Sequence, residues 1–153
     1  MKLAEALQER ADLNVKIQQL ERRMTNNALV QEGEQPSEDP EALQRELDVC
    51  IERFAYLVTR INLTNCRTVA DGRTLTELIA RKDALSMKLA VYRNLANEAG
   101  NTACRARGSE IRILATVPVA ALQKQIDKMS KELRLLDNKL QGTNWTTELI
   151  EEK

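Results

Sequence analysis

The sequence predicts an all-α chain: an elongated antiparallel helical bundle, or coiled coil, of four helices with one short extended segment near residues 110–115. Apolar residues recur at spacings of three and four through four separate segments, as they do in helices that bury one stripe against a neighbour. Charged residues make up 30% of the chain and aromatics only 3%, so the core must be built from Leu, Ile, Val, Met and Ala, which fill helix seams. Clusters of turn-forming residues separate the segments. A chain of 153 residues is of one-domain size, and residues 1–153 are expected to form a single helical domain without metal or disulfide staples.

The first helix is expected over about 2–28, where Leu3, Ala6, Leu13, Ile17, Leu20 and Met24 draw one stripe. Arg10 interrupts the stripe and is expected to lay its methylenes over apolar surface while its head reaches water. The stretch 31–40 holds Gly33, Pro36 and Pro40 with Glu32, Glu34, Glu38 and Asp39; it has no apolar period and reads as an acidic loop between antiparallel helices.

A second helix is expected over about 40–63, with Asp39 as N-cap, Pro40 in the first turn and Glu41 suiting the dipole. Its seam of Leu43, Leu47, Cys50, Phe54, Leu57 and Ile61 never misses the alternation of four and three. Asn62 to Gly72 breaks the pattern, and Thr74 with Glu77 forms a T-x-x-E box that starts a third helix over about 74–98. That helix carries Leu75, Leu78, Lys82, Leu85, Leu89, Tyr92 and Ala96, with Ile79 widening the face and Lys82 expected to snorkel.

Ile111, Ile113 and Leu114 ahead of Pro118 predict a strand over Glu110 to Ala115. A lone strand needs a partner for its backbone groups, either Cys66 to Val69 or its own copy in a second subunit. The fourth helix, about 118–141, starts at Pro118 and carries Val119, Leu122, Ile126, Met129, Leu133, Leu136 and Leu140. Gly142 is expected to cap it, leaving a tail over 143–153 in which Trp145 anchors to its own bundle or to a neighbour.

Histidine is absent, which removes the usual neutral-pH base, the Ser/His/Asp and Cys/His triads and the H-E-x-x-H zinc motif. Cys50, Cys66 and Cys104 have no metal or redox spacing. The expectation is a non-enzyme with no catalytic residue, no metal and no cofactor. Twenty-three basic residues balance 23 acidic ones, against the basic surplus of most nucleic-acid binders, so no nucleic acid is expected. The N-terminus is polar within a few residues, and no apolar run reaches the ~18 residues of a membrane span. A cytoplasmic location without stable membrane insertion follows as an expectation.

The polar residues that remain candidates for an anion or ligand site, or for an interface, are Asn65, Asp71, Arg73, Thr74, Asn144 and Trp145. Asn, Thr and Arg beside a helix N-terminus can hold an anion through side chains and free amides. The G-x-x-x-x-G-K-[ST] phosphate loop is missing, so turn and cap chemistry is the competing reading. Arg81 and Asp83, with Glu46 and Glu52, read as register-setting charges on solvated faces.

The stretches MKLAEALQERADLN, NNALVQEGE, DGRTLTELIARKDAL, VAALQKQIDKMSKELRLLDNKLQ and NWTTELIE resemble the septicolysin-like family of small bacterial helical proteins, over Met1 to Glu151. The resemblance implies a soluble helical protein without an established role, and its name implies a cytolysin-like, membrane-active alternative. No catalytic residue carries over. The residues by themselves point to a self-assembling scaffold or interaction protein, its partner a second copy with the dimer as basic unit. Binding of a small anion or nucleotide-type ligand at the polar loop is the other alternative.

Overall fold

The computed structural model describes residues 1–101 and 111–151. Among them are four helices, α1 (Leu3–Asn26), α2 (Pro40–Arg67), α3 (Leu75–Ala99) and α4 (Val119–Thr146), and a two-stranded antiparallel hairpin of β1 (Val69–Ala70) and β2 (Arg73–Thr74). The all-α expectation holds. The chain divides into two compact units, Met1–Thr74 with Thr143–Lys153, and Leu75–Gly142.

In the first unit α1 and α2 pair along the stripes read from the sequence. Leu20, Leu43 and Cys50 form a buried cluster, with Leu13, Ile17, Met24 and Leu47 packed against it. Cys50 is thus a small core side chain. The acidic loop serves this hairpin at two of its four carboxylates. Asp39 accepts from the Glu41 N–H at 3.1 Å and caps α2 as expected, and Glu38 takes a two-pronged contact from Arg23, with Nε at 3.1 Å from each carboxylate oxygen. Asn27 ties the loop ends: its amide donates to the Arg23 carbonyl at 2.9 Å and its Oδ1 accepts from the Glu38 N–H at 3.0 Å.

Farther along, Arg53 of α2 grips Glu9 of α1, with Nε–Oε1 at 2.6 Å and Nη2–Oε2 at 2.9 Å. The hydrogen bonds and charge of Arg53 hold the Glu9 carboxyl below its ordinary value of 4.5. Arg23 does the same to Glu38, and Lys2 to Glu148. A carboxylate whose pKa is depressed by folding contributes stability that is present above the ordinary value and lost as pH falls through the folded one. The thermal midpoint is therefore expected to fall between about pH 5 and pH 3, and Glu9→Gln to flatten part of that slope in pH-dependent calorimetry.

Two helices run past their expected ends. α2 continues through Asn62, Thr64 and Asn65, because Ile61 and Thr64 are buried and the Thr64 hydroxyl donates to the Arg60 carbonyl at 2.8 Å; burial overrides the local preference of Asn and Thr for turns. α4 continues through Gly142 to Thr146. Gly142 lacks the positive φ of a helix stop, and the Thr147 N–H bonds the Thr143 carbonyl at 2.9 Å. A helical glycine costs about 1 kcal/mol, which the buried Leu140 and Leu149 on either side offset.

The predicted strand at 110–115 is corrected. Residue 110 lies outside the described residues, and 111–115 form no ladder, with Ile111 and Leu114 about three-quarters exposed. The strands are instead Val69–Ala70 and Arg73–Thr74, paired Val69 to Thr74 and Ala70 to Arg73. Asp71 and Gly72 form the two-residue turn with φ of 50° and 74°, the positive pair that a type I′ hairpin requires and that Asp-Gly adopts readily. β-branched residues at 111 and 113 favour extended backbone, but they pair with no strand among the described residues.

In the second unit Leu89 of α3 packs with Leu122, Ile126 and Met129 of α4, joined by Leu85, Tyr92, Ala96, Val117 and Leu133. Lys82 snorkels as expected, reaching Asp137 with Nζ at 2.5 Å. Arg81 pairs with Glu132 at 3.3 Å. Among the described residues no helix is long and apolar enough to cross a membrane.

Candidate interaction surfaces

All six candidate residues fall in the first unit, on three elements. Asn65 is half-buried in the last turn of α2. Asp71 makes the hairpin turn, and Arg73 and Thr74 are β2 itself. These three therefore have a conformational task that the sequence had signalled as turn chemistry. α3 starts at Leu75, directly after Thr74, where the T-x-x-E spacing placed it. Asn144 and Trp145 lie in the last turn of α4 and not in a free tail.

Trp145 does not anchor the tail to its own unit: it is 58% exposed. Its phase explains this, since five residues beyond the buried Leu140 is about 140° around the helix at ~100° per residue. The anchor is Leu149, which is buried. Around it the tail lies beside the N-terminus: the Leu3 N–H bonds the Thr147 carbonyl and the Leu149 N–H bonds the Met1 carbonyl, each at 2.9 Å. The terminal ammonium is 3.5 Å from Glu148, and the Ile150 N–H donates to the buried Thr64 hydroxyl at 2.9 Å. Thr64 thus relays one hydroxyl between the α2 backbone and the tail, and Asn144-Trp145-Thr146 leads into this clasp.

The sequence reading missed the most unusual surface of the molecule. α3 buries one face against α4 and carries a second apolar stripe on the opposite one: Ala80, Ala84, Met87, Val91 and Leu95. Met87 is 72% exposed, Val91 62% and Leu95 41%. At ~100° per residue these five project within about a quarter-turn of one another. A helix with apolar residues on both sides is normally covered on both, and α4 covers only one. The signal was present in the 4, 4 spacing of Met87, Val91 and Leu95, which runs half a turn out of phase with the Leu85, Leu89, Tyr92 seam.

A second exposed apolar feature sits at the acidic loop of the first unit. Leu29 is 89% exposed and Val30 half-exposed, followed by Glu32 and Glu34. Unlike Glu38 and Asp39, which pair with Arg23 and Arg45, these two carboxylates make no ion pair among the described residues. Nothing in either surface resembles a reaction centre, and no group of three or more His, Cys, Asp or Glu among the described residues could hold a metal ion.

A family model described as a family of unknown function, DUF6847, matches residues 10–149. The chain is similar to a crystal structure described as a functionally unknown conserved protein from Corynebacterium diphtheriae, at 38% identity and a TM-score of 0.92, over 98% of this chain and 99% of that one. No curated protein matches. Neither match carries the septicolysin-like name that the wording of the sequence suggested.

Proposed function

We propose that this chain, which belongs to the DUF6847 family of unknown function, is a non-catalytic helical scaffold that works by pairing with a second copy of itself. One observation carries the reading: the outer face of α3 exposes Met87, Val91 and Leu95 in a continuous apolar stripe. Covering such a stripe is favourable by about 25 cal/mol for every Å² of apolar surface removed from water. Lack of histidine in the sequence, and of any group of three or more His, Cys, Asp or Glu among the described residues that could hold a metal ion, supports a role without chemistry. The proposed compartment is the cytoplasm, in keeping with Cys50 and Cys66 as free thiols.

Multi-angle light scattering on the purified chain tests the reading. The expected result is a species of twice 17.3 kDa that persists on dilution to low micromolar concentration. A stable single-chain mass across that range would end it.

A further inference from the structure

On one flank of the second unit, α3 and α4 leave a cavity of about 330 Å³ between them, at the small end of the range that holds organic ligands. Its floor is apolar, with Leu89 buried and Leu133 half-buried. Its rim is cationic. Lys82 and Arg93 of α3 stand eleven residues apart, about 20° around the helix at ~100° per residue, and Arg134 joins them from α4. The lining holds a single carboxylate, Asp137, which Lys82 already engages.

The two arginines are left without a counter-charge. Elsewhere in the chain, arginines that reach a neighbouring helix find a carboxylate there, as Arg53 finds Glu9 and Arg81 finds Glu132. Arg93 instead meets Ser130, with Nη2 at 3.3 Å from the hydroxyl oxygen, a long contact to a neutral group that leaves most of its five N–H donors unspent. Arg134 makes no ion pair among the described residues. Ser130 and Arg134 are one turn apart on α4, so the Arg93 contact brings both guanidiniums to the same stretch of groove. Carboxylates on nearby turns are placed or occupied otherwise: Glu132 is held by Arg81, Asp127 accepts from the Gln123 amide at 2.9 Å, and Asp83 lies about 100° around α3 from Lys82. None of the three lines the cavity.

We infer that this groove binds a small phosphate ester, with the phosphate held by Arg93 and Arg134, the Ser130 hydroxyl donating to a further oxygen, and the organic part lying over Leu89 and Leu133. A guanidinium presents paired donors in a fixed plane that match two oxygens of one phosphate. With the Lys82–Asp137 pair cancelled, the lining keeps the two charges of its arginines, which a phosphate dianion neutralises and a single carboxylate does not. The apolar floor strengthens the attraction, since charges beside a low-dielectric wall are screened less than on an open helix face. All the lining residues belong to one unit, so the site goes beyond the self-pairing reading and does not depend on it.

Amide chemical-shift titration of the isotope-labelled full chain with phenyl phosphate and with inorganic phosphate tests the site. Phenyl phosphate is expected to shift the Ser130, Leu133 and Arg134 amides saturably and to bind at least about fivefold tighter than inorganic phosphate, because its ring covers the apolar floor. Arg93→Gln and Arg134→Gln are each expected to weaken it at least about tenfold. Lys131→Gln removes a cation of α4 that does not line the cavity, and is expected to change the affinity by less than about threefold. All three positions are exposed, and unchanged far-ultraviolet circular dichroism checks that folding is intact. Absence of saturable shifts at the three amides with phenyl phosphate overturns the site. A loss in Lys131→Gln equal to that in the arginine variants overturns it in favour of diffuse attraction to a basic helix. Inorganic phosphate binding as tightly as phenyl phosphate overturns the ester in favour of a free anion. Duplex DNA or RNA that shifts the Lys124, Lys128 and Lys131 amides more strongly than phenyl phosphate shifts those of the cavity overturns it in favour of a polyanion along α4.

Discussion

Leu57→Ala is expected to destabilise the protein by about 2–5 kcal/mol, the range for truncating a fully buried leucine. Leu57 is wholly inaccessible to solvent and sits within the Leu43, Leu47, Cys50, Phe54, Leu57, Ile61 seam of α2. Its removal loses both the transfer free energy of the side chain and the contacts of the atoms left lining the cavity. Urea unfolding followed by circular dichroism should show a lower midpoint with an unchanged slope. Val49→Ala on the same helix is the control: Val49 is 65% exposed, and surface changes of this kind stay within about 0.5 kcal/mol. Equal midpoints for the two variants would mean that the three-and-four spacing does not record helix contact.

Where burial and local chemistry agree, the elements were legible. The start of α2 is the clearest case: Asp39, Pro40 and Glu41 are a cap, a first-turn proline and a dipole-matched acid, and the helix opens at Pro40. The ends were harder. Asn62, Thr64 and Asn65 favour turns in isolation, and Gly142 favours a stop, yet both helices pass through them because Thr64, Leu140 and Leu149 are buried by tertiary contacts that no local rule encodes. The strand was misplaced for a related reason. Asn62 to Gly72 was read as a break between helices, and only two residues pair on either side of Asp-Gly, too few to give a strand period, while the β-branched run near 111 has the propensity but pairs with no strand among the described residues.

The candidate site divided along the same line. Asp71, Arg73 and Thr74 were singled out because polar residues beside a helix N-terminus can hold an anion, with turn and cap chemistry as the competing reading, and the structure places them in the hairpin. The α3 outer stripe went unread because alanines fill two of its five positions and a stronger seam occupies the same helix. The cavity of Arg93, Ser130 and Arg134 was invisible for a different reason: its residues come from two helices, and no spacing within either one brings Arg93 to Ser130.

Leu149→Asp should release the C-terminal tail from the N-terminus. Leu149 is buried, and its N–H holds the Met1 carbonyl. A carboxylate in that place would be desolvated with no cation supplied, a penalty of several kcal/mol in an apolar setting. The chain has a less costly outcome: leave the pocket and solvate the new charge. The loss is then limited to what docking contributed, about 1.5–3 kcal/mol for the leucine with ~1 kcal/mol for each hydrogen bond surrendered. Released along with it are the Ile150 N–H bond to Thr64 and the contacts of Glu148 with Lys2 and the terminal ammonium. Hydrogen exchange should show the amides of Leu3, Leu149 and Ile150 losing protection together while the mid-helix amides around Leu20 and Leu43 keep theirs. Thr64→Val separates the two halves of the clasp, because it keeps the buried volume but removes the acceptor for Ile150; the Ile150 amide should then exchange faster while Leu3, bonded to Thr147, does not. Protection unchanged at all three amides in Leu149→Asp would mean that the tail is held by something other than the leucine that the structure buries.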